Sequence, residues 1–249
     1  NGTERVIVSQ LQRSPGLFYT HDQGKSHSSG KLLYSARIIP VRGSWIDLEF
    51  DIKDILHVRI DRRRKFPVTS LLKALGYSGA ELLEMFYPLN TITKIKDQYF
   101  VKFNEETALG TRLEFDLINP ADGSVLGKKG RKISKALSKR IAEAGIENLQ
   151  ISAEMLVGKV ISHDIADPES EEPLLLHNTE ITESLLETLT ESGINEFQIL
   201  AIDGVKYSES FRKTLSMDKV ATTEEALLEI YRRLRPSSPP TLEVAESFF

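Results

Sequence analysis

Cysteine is absent from this 249-residue chain. That absence excludes disulfides and thiolate metal sites, and it fits a reducing compartment such as the cytoplasm. No apolar run approaches the ~18 residues that a membrane-spanning helix needs. No signal-peptide pattern opens the chain either, so no membrane partner is expected. Tryptophan occurs once, at Trp45. Catalytic patterns are lacking too, because no Ser-His-acid or paired-carboxylate arrangement has a defensible spacing. Asn1 is not an initiator methionine and the chain stops on Phe248-Phe249, so both ends are expected to be cut from a longer protein. What remains is an ordinary globular balance of 40% hydrophobic and 27% charged residues, enough for one or two cores.

Charge is unevenly spread along that balance. The net charge is -4, yet residues 1–75 hold 13 Lys and Arg against 7 Asp and Glu, and the remainder holds 19 against 29. A basic N-terminal part and an acidic remainder suggest a polyanionic partner for the first and a different role for the second. The basic part peaks at Arg59-Ile60-Asp61-Arg62-Arg63-Arg64-Lys65, with five cations in seven residues following the strand-like run Ile55 to Ile60. Guanidinium forks suit phosphate oxygens, and a solvated charged edge balanced by local acids is the other reading.

Alternation of apolar and polar residues predicts a half-buried strand over 4–12 (Val6, Val8, Leu11) and further strands over Lys31–Pro40, Trp45–Asp51 and Ile55–Asp61. Ser14-Pro15-Gly16 reads as a turn and Gly24 to Gly30 as a mobile loop. Pro67 opens a short helix that Gly76 ends, and Ser78 with Glu81 forms a capping box for a second helix through Phe86. Thr93 to Phe103 reads as a hairpin about Lys96-Asp97-Gln98, and Pro120-Ala121-Asp122-Gly123 as a turn. Thr222 with Glu225 caps a helix over Glu224–Arg235, and Thr241 begins a last one after Pro239-Pro240.

An internal repeat lies between these parts. Residues 129–151 match 177–199 at an offset of 48, pairing Ile133 with Ile181, Ile141 with Leu189, and Gly145 with Gly193. Each copy reads as a helix, a C′ glycine and a short strand. The expected fold class is α+β, a mixed domain interrupted by a smaller inserted domain of repeated helix-strand modules. The boundaries are 1–13 for a leading strand, 14–87 and 207–249 for the two parts of the main domain, and 88–206 for the acidic insertion.

Candidate chemistry is sparse. His21, Asp22 and His27 lie in a Gly/Ser-rich loop without the spacing of a metal site, and His163-Asp164 reads as ordinary surface. Gly127 to Lys132 precedes a helix but lacks the full phosphate-loop spacing. Asp47, Glu49 and Asp51 alternate on one strand face, as a magnesium site would require, or as a balance for nearby arginines. Trp45 is either a core residue or an exposed ring on which an unpaired base stacks. Arg13, before a Pro-Gly turn, either reaches a phosphate or base edge or caps local carbonyls.

Several long motifs resemble the second-largest (beta) subunit of bacterial multisubunit RNA polymerase. They are Asn1 to Leu11, Arg13-Ser14-Pro15-Gly16, Gly24-Lys25, His27 to Lys31, Ala36 to Pro40, Arg42-Gly43-Ser44-Trp45 and Arg59 to Lys65. Glu229 to Arg232, Arg235-Pro236, Pro239-Pro240-Thr241 and Ala245-Glu246-Ser247 continue it, so the likeness runs essentially from end to end. The middle block resembles the lineage-specific insertion that some of these subunits carry in their lobe domain.

The resemblance implies that residues 1–13 belong to the protrusion side, with Arg5, Val8 and Ser9 at the margin of the rifamycin pocket. It implies a lobe forming one wall of the DNA cleft, with Arg13, Trp45, Arg62, Arg63, Arg64 and Lys65 facing downstream DNA and the non-template strand. Implied partners are DNA, the other polymerase subunits, sigma factor, and regulators docked on an outward-facing insertion. No catalytic residue and no cofactor is expected in this segment, because the family's magnesium is held by another subunit. A stand-alone nucleic-acid-binding module and a metal-dependent hydrolase using Asp47 are the competing expectations.

Overall fold

The computed structural model describes residues 2–168, 170 and 172–249; Asn1, with which the first family-like motif begins, lies outside the described residues. The chain divides into two compact units, residues 1–76 with 213–249 and residues 77–212.

The first unit begins with a correction. The expected strand over 4–12 does not form, and residues 3–14 have no regular structure. Val6, Ile7, Val8 and Leu11 are 89%, 95%, 83% and 104% exposed. Alternation alone makes no strand, because each backbone N–H and C=O needs a ladder partner and none of the described residues supplies one here. The first strand instead lies just beyond the Ser14-Pro15 turn, β1 at Gly16–His21. It is followed by β2 at Tyr34–Ile39, β3 at Ile46–Phe50, β4 at Leu56–Ile60 and β5 at Phe66–Pro67. These pair antiparallel in chain order as one five-stranded meander. The Gly24 to Gly30 loop is held from its start, where Asp22 accepts hydrogen bonds from the N–H groups of Gly24, Ser26 and Leu33. Those bonds, the Leu33 one foremost, hold the Asp22 carboxyl well below the usual carboxylate range.

Pro67 fixes the backbone ahead of α1 (Val68–Ala74), and Gly76 leaves it at φ 98. The second unit opens with α2 (Gly79–Phe86), which Ser78 caps with both bonds of the capping box formed.

The second unit is built on the hairpin of β6 (Leu89–Ile95) and β7 (Gln98–Lys102), with α3 (Glu105–Ala108) after it. Then follow β8 (Leu117–Ile118), β9 (Val125–Gly127), α4 (Lys135–Glu143) and β10 (Asn148–Ile151). A 3₁₀ turn at Ala153–Met155 leads to β11 (Ile165–Ala166), β12 (Pro173–Leu175), α5 (Glu183–Glu191) and β13 (Glu196–Leu200). Every element of the second series lies 48 residues after its counterpart. The duplication readable at 129–151 and 177–199 is therefore the C-terminal part of a longer module, 104–151 repeated as 152–199.

Hydrogen bonds repeat with it. Gly110 N–H bonds the Ile133 carbonyl as Gly158 bonds Ile181, and Ile133 N–H bonds Thr111 as Ile181 bonds Lys159. Ser134 and Thr182 cap their helices through Leu137 and Leu185. Gly145 and Gly193 sit at φ 67 and 70, and Ile146 and Ile194 close each helix end on the carbonyls of Ile141 and Leu189. The two copies bury separate cores, one around Ile133, Leu137 and Ile141, the other around Ile161, Ile181 and Leu189. They share the central hairpin. Sheet order is β10-β7-β6-β13, so each copy adds one outer strand to it.

Helix α6 (Ser210–Met217) returns the chain to the first unit, which ends with α7 (Thr223–Leu234) and α8 (Leu242–Phe248). Within that unit α1 packs against α7 and β4, and α8 against α7. Val58, Phe66, Ala226 and Ile230 are buried there. A buried polar staple joins its two stretches of chain. Asp218 accepts from Thr69 Oγ1 at 2.6 Å and Ser70 Oγ at 3.0 Å, with Lys73 Nζ 3.5 Å away. Lys73 Nζ also donates to the Val220 carbonyl.

Candidate nucleic-acid interface

The meander's register assembles the site. Phe18 stands opposite Arg37, Arg37 opposite Asp47, and Asp47 opposite Arg59. One row of side chains therefore crosses four strands on a single face. A second row on that face runs Thr20, Ser35, Glu49 and His57. The opposite face is apolar, with Leu48, Val58 and Phe66 in its rows.

Trp45 stands at the end of the polar face, half-buried. The guanidiniums of Arg37 and Arg62 lie over its ring, 5.5 and 5.8 Å from the centroid. Such contacts hold an indole in place and leave cationic groups at its rim. The Arg62 backbone is placed by a tight turn, in which Arg63 N–H bonds the Ile60 carbonyl and Asp61 and Arg62 take φ 48 and 58. Two successive positive-φ residues define a type I′ turn, unusual without glycine. The Asp61 side chain compensates by accepting from Trp45 N–H at 3.0 Å and Ser44 Oγ at 2.6 Å. The same carboxylate therefore ties the tryptophan to the arginine turn.

Arg13, Phe18, Thr20, Arg37, Asp47, Glu49, Arg59 and Arg62 surround an open basin of about 410 Å³. Arg13 lies over the Phe18 ring at 5.3 Å. Four guanidiniums face two carboxylates, so the basin is net cationic, with aromatic rings at its margin.

The acids of the strand are engaged. Asp47 bonds Arg37 Nε. Glu49 Oε1 lies 3.0 Å from Arg59 and 3.5 Å from Lys65. Asp51 accepts the N–H groups of Lys53 and Ile55. Asp47, Glu49 and Asp51 thus balance local cations and backbone, and no group of three metal-ligating side chains occurs among the described residues. Of the five cations in 59–65, Arg59 and Lys65 are paired with Glu49. Arg62 lies on Trp45, and Arg63 and Arg64 are exposed with no ion pair among the described residues. Arg5, Val8 and Ser9 lie in the exposed leading segment and belong to no helix or strand.

Sequence reasoning missed Arg37, Phe18 and Thr20. The strand carrying Phe18 and Thr20 was unread, and only the register shows that Arg37 shares a face with Arg59. It also missed His57, half-buried on this face with Nδ1 free of hydrogen bonds. Burial, and then Lys65, push its imidazole below the ordinary 6.5; Asp51 at 3.8 Å pulls the other way and loses. The fold therefore favours neutral His57. Its contribution is complete above about pH 6.5 and is lost as pH falls from there through the lower folded value. Thermal unfolding of the first unit should shift to lower temperature between pH 7 and 5, and His57→Gln should flatten that slope. An unchanged slope in the variant would remove His57 from the account.

Residues 13–114 match the family model described as RNA polymerase Rpb2, domain 2. Along its whole length the chain is 70% identical to the DNA-directed RNA polymerase subunit beta of Desulfotalea psychrophila. It is 55% identical to that of Syntrophobacter fumaroxidans and 51% identical to that of Syntrophotalea carbinolica, again with all of the chain covered. The chain belongs to the beta-subunit family of bacterial DNA-directed RNA polymerase. It spans 18% of the length of these relatives.

Proposed function

We propose that this segment works as a non-catalytic DNA-holding part of a DNA-directed RNA polymerase, forming a wall of the DNA cleft. In this reading Arg13, Arg62, Arg63 and Arg64 neutralise phosphates of downstream DNA and the non-template strand, and Trp45 stacks on an unpaired base. Lys65 joins them less directly, because Glu49 already shares its charge. Nucleotidyl transfer, and the magnesium it needs, belong to other parts of the parent enzyme, whose further subunits and sigma factor are the partners. The Arg5, Val8 and Ser9 segment is assigned to the rifamycin-pocket margin. The acidic second unit is assigned to docking of regulatory proteins.

The observation that carries the reading is the cationic basin beside a tryptophan held by two guanidiniums and a turn carboxylate. Phosphate contact needs the first feature and base stacking the second, on one sheet face. A polymerase reconstituted with Trp45→Ala should bind a pre-melted bubble template about 1–3 kcal/mol more weakly. Its affinity for fully paired duplex should be little changed. Equal losses on bubble and duplex would refute stacking.

A further inference from the structure

The two copies of the 48-residue module share one backbone and differ in charge. Residues 104–151 carry 8 Lys and Arg against 7 Asp and Glu; residues 152–199 carry a single cation, Lys159, against 11 acids. The contrast is sharpest on the helices. Glu183 and Glu187 of α5 stand where α4 has Lys135 and Lys139, and Glu191 stands where α4 has Glu143. In the first copy the pattern is self-relieving, with Lys139 Nζ 3.8 Å from Glu143 one turn on. In the second copy three carboxylates succeed each other at i, i+4 and i+8, where like charges repel along a helix face. None of the three has an ion pair among the described residues. The first copy shows that the module folds without this acidic stripe, so folding does not call for it.

The stripe borders a groove of about 620 Å³. Buried Tyr99 and Leu186 line it, with exposed Val157 and Glu154 beside them. Among the described residues Lys94 is the one cation lining it, spent on Thr190 Oγ1 at 2.7 Å and over the Tyr99 ring.

We infer that this groove receives a cationic amphipathic helix from another protein. Lysines or arginines at i, i+4 and i+8 on such a helix repeat at the same ~6 Å as Glu183, Glu187 and Glu191. An apolar residue beside them would cover Leu186 and Val157, as in other helix-in-groove contacts. The charge complementarity and the apolar lining together select this occupant over a nucleic acid, which the same carboxylates repel. The inference deepens the docking role assigned to the second unit, and it rests on that reading.

The probe is a fluorescein-labelled amphipathic peptide with lysines at i, i+4 and i+8 and a leucine on the same face, titrated into the full chain. Its shuffled counterpart should bind at least tenfold more weakly. Glu183→Lys with Glu187→Lys, which installs the side chains of the first copy, should weaken the ordered peptide at least tenfold. Glu172→Lys with Glu196→Lys changes net charge equally outside the groove and should cost less than threefold. Equal losses in both double variants would reduce the effect to the general field and overturn the inference. Binding unchanged in the groove variant would overturn it too, while leaving the broader docking role standing; no binding to the chain at all would sink both. A concentration-dependent dimer that Lys135→Glu with Lys139→Glu abolishes would name a second copy of this chain as occupant, against the inference.

Discussion

Replacing Arg62, Arg63 and Arg64 together by alanine is expected to lower the salt slope of DNA binding by about 2–3. Each phosphate contact releases condensed counterions, so the slope of log affinity against log salt counts the contacts directly. Most of the affinity loss should appear below physiological ionic strength and shrink as salt rises. The three residues contribute unequally. Arg63 and Arg64 are exposed and free to reach phosphate, whereas Arg62 already lies over Trp45. The Arg62 single variant should therefore lose part of the bubble-specific binding along with phosphate contact. An unchanged slope in the triple variant would mean that these cations only solvate an edge.

Removing the Asp218 carboxylate should cost about 3–5 kcal/mol of folding stability, the magnitude found when one member of a buried ion pair is deleted. Asp218→Ala leaves Lys73 buried without its counter-ion and the hydroxyls of Thr69 and Ser70 without an acceptor. The staple joins residues 69–73 to 218–220, separated in sequence by the whole second unit. Its loss should thus lower the unfolding midpoint of the first unit specifically. Exchange-protection measurements should show residues 133–199 still protected under the same conditions. A loss below about 1 kcal/mol would indicate that water replaces the carboxylate.

Much of this architecture was legible in the chain, for identifiable reasons. Ser78 and Glu81 announce a helix start because both bonds of the box are local. Gly145 and Gly193 announce matched helix ends because few other residues accept positive φ there. The repeat emerged only where periodic helices made it visible. Its earlier part, with two-residue strands and a Gly130 to Asn178 exchange at one positive-φ position, carries too little periodicity. The strand over 4–12 failed for the converse reason, since its alternation is real but nothing among the described residues pairs with it.

The candidate site divides the same way. The arginine run and the lone tryptophan stand out by composition. Arg37 and Phe18 join them through strand register, which follows from long-range pairing. The Asp218 staple has no local signature at all, because its partners lie 148 and 149 residues away.

The central claim is that the polar face of the five-stranded meander touches DNA inside an assembled polymerase. A photo-crosslinking residue placed at Trp45 in reconstituted enzyme, on a bubble template with each strand separately labelled, tests it most directly. The account predicts a crosslink to the non-template strand that disappears when the bubble is closed. Crosslinks confined to protein, or to the template strand alone, would contradict it.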